Sequence, residues 1–236
     1  MARSSLYNLL FRKNGMKGGK PFENNIVDLL HDKKEFLLLV FSNLVVQLGI
    51  TYYVIMNYAD NHAEKSILRH FMIFLLLIVL IFVMTLVDMP MWCKFIVFSF
   101  FSSVFGVYLS SMKTHVDPKI IQMAVAGTVG IFSTLLLFGV FLVAIGIRLG
   151  MQFGLFLLGA LLLLIISQIV MLFIGASSMW IKMVSIVGLF IFSMYVVYDT
   201  NNILQRDYSG DFITASLDYY LDILNLFLNL TNTMDN

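Results

Sequence analysis

Seven long stretches of apolar residues alternate with short polar segments along the chain. A helix needs roughly 20 apolar residues to cross the hydrocarbon core of a bilayer, and these stretches are long enough to do so. The pattern therefore predicts an all-α membrane protein, built as a bundle of seven transmembrane helices. The predicted spans are 36–59, 71–87 with a start near Ile67, 92–112, 119–146, 151–174, 179–204 and 211–233.

Composition supports the same class of protein. Hydrophobic residues make up 60% of the 236 residues and charged residues only 12%, whereas soluble domains carry about a quarter charged residues. Only a lipid bilayer solvates that much apolar surface, so the bilayer is the first predicted partner. The net charge of +1 gives no reason to expect a nucleic-acid partner, and the single cysteine, Cys93, excludes an intramolecular disulfide.

Basic residues separate a tail from the membrane domain. Residues 1–34 form the predicted cytosolic tail, and residues 35–236 form the predicted seven-helix domain. The basic residues of the tail are Arg3, Arg12, Lys13, Lys17, Lys20, Lys33 and Lys34. Lys94, Arg148 and Arg206 fall in turns on the same side, and short segments rich in lysine and arginine stay in the cytosol. The C-terminus lies on the far side if the last helix spans, and in the cytosol if that helix is re-entrant.

The last apolar segment differs from the others because it has a polar face. Its Phe, Ile and Leu residues favour insertion by about −5 kcal/mol in sum, while ionised Asp218 and Asp222 oppose it by about +5 to +7 kcal/mol. One sector of the helix, about 80° wide, holds Thr214, Asp218, Asp222, Asn225, Asn229 and Asn232. We therefore expect this helix to span only in the centre of a bundle or beside a water-filled cavity. A helix lying on the membrane surface is the alternative, although such helices usually carry lysine and arginine on the polar face.

A further acid, Asp199, follows a long interval without acidic residues. Helical spacing places Tyr195 and Asn202 on the same face as Asp199. The turn to the last helix is short, so the two helices are predicted to be antiparallel neighbours. Asp199 would then approach Asp222 or Asp218.

Such a carboxyl pair has a specific chemistry. Two carboxylates in contact in a low dielectric cannot both ionise, so they share a proton and respond to pH. Once both are ionised they repel each other and attract a cation, and oxygen ligands suit Ca²⁺. The alternative is that Asp199 only caps its helix and pairs with Arg206.

The last two segments also contain two specific motifs. They are Tyr198-Asp199-Thr200 and the run Tyr220-Leu221-Asp222-Ile223-Leu224-Asn225-Leu226-Phe227-Leu228. In combination they resemble the Bax inhibitor-1 family, also called the transmembrane Bax inhibitor motif or lifeguard family, nearest the lifeguard and Golgi anti-apoptotic branch. The resemblance implies a seven-helix bundle with the C-terminal helix at its centre, in agreement with the polar face of that helix.

The resemblance also implies a function and a site. It implies a Ca²⁺-permeable, pH-sensitive leak in ER or Golgi membranes that suppresses apoptosis, with Ca²⁺ and protons as its ions. By position, the aspartate pair of the family corresponds to Asp199 and Asp222, which would form the pH latch and bind Ca²⁺, with Asp218 as a further carboxylate. The other predicted site residues are the pore-lining Thr214, Asn225 and Asn229 and the supporting Tyr195, Tyr198, Asn202 and Arg206. Nothing basic lies between Arg69 and Lys94, so the sequence does not identify a basic residue that completes the latch.

Two other classes of function were weighed against this interpretation. An intramembrane aspartyl protease would match Tyr198-Asp199, but Asp222 follows Tyr-Tyr-Leu rather than the Gly-x-Gly required there. We therefore expect a protein that is not an enzyme and has no cofactor. A non-transporting protein that binds apoptosis regulators or other channels is the remaining alternative. The oligomeric state is not predicted.

Overall fold

A computed structural model describes residues 26–58, 67–110, 115–175 and 177–235, and every regular element in these ranges is an α-helix. The helices are α1 (Ile26–Asp32), α2 (Lys34–Asn57), α3 (Ile67–Leu86), α4 (Met91–Ser110), α5 (Pro118–Ala144), α6 (Met151–Ile174), α7 (Ser178–Gln205) and α8 (Phe212–Asp235). The all-α prediction is confirmed for this part of the chain. Most of the predicted tail, residues 1–25, lies outside the described residues.

Six of the helices, α2 to α7, are long and apolar enough to cross a membrane. They coincide with the first six predicted spans to within a few residues. Helix α8 forms where the seventh span is predicted and has 24 residues, but its polar face leaves it outside the set defined by length and hydropathy. The protein is therefore a multi-span membrane protein, and a crossing by α8 stays a prediction.

Local sequence explains where the helices begin and end. Asp117 caps α5 by accepting a hydrogen bond from a backbone N–H of the first turn at 2.8 Å, and Pro118 follows it. Helix α6 ends at Gly175, whose φ of 69° is left-handed. Ser209 and Gly210 form the turn before α8 with φ of 52° and 81°. This tight turn makes α7 and α8 antiparallel neighbours that pack along their length, as predicted.

Helix α8 packs against α7, α2, α5 and α4. It contributes to both hydrophobic clusters of the fold. Tyr219, Tyr220 and Leu224 join the larger cluster with residues of α2, α3 and α4, and Leu226 joins the smaller one with residues of α6 and α7. The apolar side chains of α8 therefore lie against protein rather than at the outer surface.

Helices α3 and α6 lie at the edges of the bundle. Among the other helices α3 mainly contacts α4, and α6 mainly contacts α7. Their outer faces expose large apolar side chains, such as Phe82 on α3 and Phe156 and Leu163 on α6. Hydrocarbon chains solvate such surfaces, which is consistent with a protein embedded in lipid.

The close approach of α4 to α2 leads to a prediction about stability. A Cβ atom at Gly106 would lie 2.8 Å from Val54 Cβ and 2.9 Å from the Thr51 carbonyl oxygen. We expect Gly106→Ala to destabilise the bundle by about 1 to 3 kcal/mol, the usual cost of overpacking, measured by thermal unfolding in detergent. Gly130→Ala is the matched control, because Gly130 has open space around it. A stability equal to that of the control would contradict the prediction.

Candidate functional site

The last two helices bring two carboxyl groups into contact. Asp199 lies near the end of α7 and Asp222 lies near the middle of α8, and their side chains are within hydrogen-bonding reach of each other. Asp222 is buried, with 3% of its surface exposed, and its Oδ2 has no hydrogen-bond partner among the described residues. Because a carboxylate cannot donate, a hydrogen bond between these groups requires a proton on one of them. Asp222 lies within hydrogen-bonding reach of Asp199, and Asp218 acts on Asp199 through its charge.

Asp218 lies one turn before Asp222 and has a different partner. The Tyr208 hydroxyl, in the turn between α7 and α8, donates to Asp218 Oδ2 over 3.4 Å. Burial raises the pKa of Tyr208, and the negative charge of Asp218 raises it further, so the phenol keeps the proton that it donates. In the described part of the chain, no three His, Cys, Asp or Glu side chains are grouped so that they could hold a metal ion. Asp218 thus does not join the pair in a three-carboxylate site in this conformation.

The predicted supporting residues lie in different places. Tyr195 lies near both Asp199 and Asp222. Tyr198 is turned toward α6, where its hydroxyl lies over Gly154 and its ring packs 5.8 Å from that of Phe153. Tyr198 therefore joins α7 to α6 on the far side from the pair. Asn202 is buried, and its backbone oxygen accepts from the Arg206 N–H at 2.7 Å, which closes the end of α7.

Two lysines, Lys94 and Lys33, make contacts between helices at the end of the bundle next to the pair. Lys94 Nζ lies 2.5 Å from Asp211 Oδ2 and donates to Thr214 Oγ1 at 2.6 Å. Lys33 Nζ donates to the backbone oxygens of Ile203 at 2.8 Å and Arg206 at 2.5 Å. The Lys33 contacts place the start of α2 beside the last turn of α7. The Lys94 contacts place the start of α4 beside the start of α8.

Asp211 is the N-terminal cap of α8 as well as the partner of Lys94. Its Oδ1 accepts from the Thr214 N–H at 3.0 Å, and its Oδ2 accepts from Thr214 Oγ1 at 2.7 Å. Burial alone would raise the pKa of Asp211, but the hydrogen bonds from Lys94 and Thr214 outweigh it and hold the pKa below its usual value. Thr214, predicted as a pore-lining residue, is thus held in this ion-pair cluster at the start of α8.

Arg206 is the basic residue that most directly affects the carboxyls of the site. It lies close enough to attract both Asp199 and Asp218. It stands just after the end of α7, at the start of the α7–α8 turn. A basic partner of the carboxyls therefore comes from the α7–α8 turn.

Asn201 has a structural role that the sequence analysis missed. It is 1% exposed, and its amide donates to the Ile147 oxygen at 2.9 Å and accepts from the Leu149 N–H at 2.9 Å. It also accepts from Gln205 at 2.8 Å. Asn201 thus fixes the α5–α6 turn to the same end of the bundle as Asp199.

A buried polar network between α2, α4 and α8 was also missed. Asn43 Nδ2 donates to Ser216 Oγ at 2.5 Å, and the Thr51 and Tyr220 hydroxyls lie 2.5 Å apart. Gln47 lies between them and accepts from Ser102 Oγ at 2.9 Å. The signal was present in the sequence, because residues 43, 47 and 51 repeat every four positions along an otherwise apolar span. This amide–hydroxyl network means that α8 makes polar contacts on two sides.

The asparagines of the polar face line a cavity at the opposite end of α8. Asn225 and Asn229 border a space of about 210 Å³ together with residues of α4, α6 and α7. Both asparagines use their Nδ2 to bond the carbonyl one turn earlier in their own helix, at 2.8 Å. Of the predicted polar face, Asn225 and Asn229 thus border a cavity, while Thr214 lies at the far end in the Lys94 cluster.

Comparison with known proteins identifies a family whose model matches most of the chain. Residues 33–236 match the family model described as Bax1-I, Inhibitor of apoptosis-promoting Bax1. That match begins at the lysine that contacts the end of α7 and includes all of α2 to α8.

Individual relatives align over shorter stretches. Protein LIFEGUARD 4 of Arabidopsis thaliana is 36% identical over 77 residues, which are 33% of this chain and 31% of the relative. Protein lifeguard 4 of Mus musculus is 26% identical over 126 residues, 48% of this chain and 52% of the relative. The Golgi anti-apoptotic protein of Vaccinia virus (strain Lister) is 32% identical over 85 residues, 36% of this chain and 35% of the relative. The chain thus spans about a third to a half of the length of these relatives.

Proposed function

The chain belongs to the Bax inhibitor family of anti-apoptotic membrane proteins, and we propose that it acts as a pH-sensitive, Ca²⁺-permeable leak of an intracellular membrane. The contact between Asp199 and Asp222 at the α7–α8 interface carries this proposal. A carboxyl pair inside a membrane bundle is unusual, since ionisable groups within membrane helices are costly and mark ion or proton pathways.

The pair acts as a gate through its proton. While one proton is shared, the two side chains bond each other and hold α7 against α8. When that proton leaves, two like charges face each other in a low dielectric and separate, and their oxygens become available to a cation. Ca²⁺ takes six to eight oxygen ligands, so amide oxygens and water would complete the shell that the two carboxylates begin.

Helix α8 serves as the seventh span and the central helix of the bundle in this proposal. Its packing against four other helices supports the assignment, as does its share in both hydrophobic clusters. A helix with buried aspartate and asparagine residues is stable in a membrane only when protein or water surrounds its polar atoms.

The proposed topology has the N-terminus in the cytosol. Lys33, Lys94 and Arg206 lie at one end of the bundle, and lysine and arginine accumulate on the cytosolic side. The proposed compartment is the Golgi or the ER, supported by the relative named Golgi anti-apoptotic protein. With seven spans the C-terminus then faces the lumen.

Inhibition of cell death without transport is the alternative. The names of the matching family and of the viral relative refer to apoptosis and not to an ion. In this alternative the α8 face would bind an apoptosis regulator or another channel within the membrane. The buried state of Asp222 argues against it, because α7 already covers that side of α8.

Transport in a purified system distinguishes the two functions. The full chain in liposomes loaded with a Ca²⁺ indicator is expected to admit Ca²⁺ faster than protein-free liposomes of the same lipid, with an ionophore defining complete entry. The flux should rise as the pH rises and the pair loses its proton. Entry no faster than in protein-free liposomes at any pH would reject the leak and favour the interaction function.

A further inference from the structure

One side chain of α8, that of Tyr219, contacts three other helices beside the carboxyl pair. It is buried, and its hydroxyl donates to Thr200 Oγ1 on α7 over 3.0 Å. Its ring stacks on that of Phe41 from α2, with centroids 5.8 Å apart, and meets the ring of Phe132 from α5 edge to face at 5.4 Å. Tyr219 therefore joins α8 to α2, α5 and α7 at one level of the bundle.

Thr200, the acceptor of this hydrogen bond, is itself held on two sides. Its own hydroxyl donates to the Val196 carbonyl one turn earlier at 2.7 Å, which leaves a lone pair of the oxygen for Tyr219. Its side chain lies against Gly139 of α5, where an added Cβ would come within 2.7 Å of Thr200 Cβ. The acceptor is therefore fixed in place before Tyr219 reaches it.

Both residues are close to the pair. Thr200 directly follows Asp199, and Tyr219 lies about one turn before Asp222. The Tyr219 hydroxyl is near enough to both carboxyl groups for their charges to act on it. A slip of α8 by one residue would move Asp222 by about 1.5 Å and turn it by about 100°, away from Asp199. The hydrogen bond between Tyr219 and Thr200 opposes such a slip.

The other titratable groups close to the pair lie on α7, on α8 and in the turn between them, among the residues that the structure describes. They are Tyr195, Arg206, Tyr208, Asp218 and Tyr219. Lys94 on α4 and Asp211 act on Asp218. Of the groups close to the pair, Tyr219 is the one whose described hydrogen bond joins α8 to α7.

We propose that Tyr219 is a positioning residue of the Asp199–Asp222 pair, and that its hydrogen bond to Thr200 sets the pH at which the leak opens. The inference rests on the proposed leak function and assigns a residue to its regulation. The bond forms while α7 and α8 are held together and is lost when the two carboxylates separate, so it favours the closed arrangement. Without this bond the pair separates at a lower pH.

Tyr219→Phe tests this role because it removes the hydroxyl and keeps the ring. Ca²⁺ flux into liposomes is expected to reach half of its maximum about half a pH unit below the wild-type midpoint, the shift that loss of one interhelical hydrogen bond gives. Tyr220→Phe is the matched control, since it removes the same atom from the adjacent buried residue, whose hydroxyl lies 2.5 Å from Thr51 Oγ1 on α2. The control should lose a similar amount of thermal stability and keep the wild-type midpoint. An equal shift in both variants, or a shift in neither, overturns the inference.

A second variant tests whether Tyr219 acts through Thr200. Thr200→Val removes the acceptor and nearly keeps the shape of the side chain, so it should lower the midpoint as well. The double variant with Tyr219→Phe should shift no further than the larger of the two single shifts, because both changes break the same bond. Additive shifts would show that the two residues act independently and would overturn the inference.

Infrared spectroscopy of the full chain separates the positioning role from transport. The absorption of the protonated carboxyl of the pair is the part of the spectrum that Asp222→Asn removes, and it should disappear at a lower pH in Tyr219→Phe than in the wild type. An unshifted absorption in a protein that passes Ca²⁺ overturns the inference and leaves the leak intact. A shifted absorption in a protein that passes no Ca²⁺ rejects the leak and keeps the positioning role.

Discussion

Replacing Asp222 by asparagine is expected to lower Ca²⁺ flux about tenfold, which corresponds to about 1.4 kcal/mol in the free-energy barrier to permeation, and to flatten its pH dependence. An amide cannot lose a proton, so Asp199 no longer faces a second negative charge at any pH. The flux of the wild type should rise with pH, whereas the flux of the variant should stay low and change only weakly with pH. Flux into liposomes, recorded between about pH 5 and about pH 8, measures both effects.

Asp218→Asn is the matched control for that experiment. It makes the same chemical change one helical turn away, on a carboxyl that bonds Tyr208 rather than Asp199. Its effect on Ca²⁺ flux should be clearly smaller. Part of the pH dependence of the flux is still expected to come from Asp218, because Asp218 and Arg206 are the other charged groups acting on Asp199. An equal or larger effect of Asp218→Asn would show that the pair is not the gate.

Replacing Gln47 by alanine is expected to destabilise the bundle by about 2 to 3 kcal/mol. Gln47 is fully buried and bonds Asn43, Ser99 and Ser102 at 3.3, 3.3 and 2.9 Å. Each interhelical polar contact in a membrane contributes about 0.6 kcal/mol on average, and the truncation also leaves a cavity in a packed core. Thermal or denaturant unfolding in detergent micelles measures the loss.

Asn57→Ala provides the comparison for Gln47→Ala. It removes an amide from the same helix, but at an exposed position whose described bond lies within the helix, so its effect should stay within about 0.5 kcal/mol. If the two variants are equally stable, the polar contacts of Gln47 do not hold α2 against α4.

The membrane helices were predictable because the length of an uninterrupted apolar stretch largely determines them. Long apolar stretches such as those of α3 and α6 need lipid around their side chains and internal hydrogen bonds for their backbone, and a membrane helix provides both. Helix α8 was also found from its pattern, since its polar and apolar residues separate at helical spacing. Whether α8 crosses the membrane is harder to predict from sequence. The free energy gained by inserting its apolar side chains nearly equals the cost of inserting its aspartates, so contacts with neighbouring helices decide whether it spans.

The site was predictable only to within one turn. Asp218 and Asp222 share a face of α8, so spacing alone allows either to meet Asp199. Asp218 and Asp222 differ in their contacts because the Tyr208 hydroxyl, in the α7–α8 turn, bonds Asp218. The helical spacing of the sequence does not predict a contact made by a turn residue. Asn43, Gln47 and Thr51 were not predicted for another reason: uncharged amides and hydroxyls build the second polar network, and such residues are also common in membrane helices that make no such network.

The contact made by Lys33 joins the start of α2 to the end of α7. Its amine lies on two carbonyls at the end of the helix that carries Asp199, and the family match starts at this same residue. A shortened protein that starts at the first apolar residue of α2 would lose this cation and leave the last turn of α7 uncapped. Truncations for crystallography or cryo-microscopy should therefore retain Lys33, together with enough preceding chain to keep it ordered.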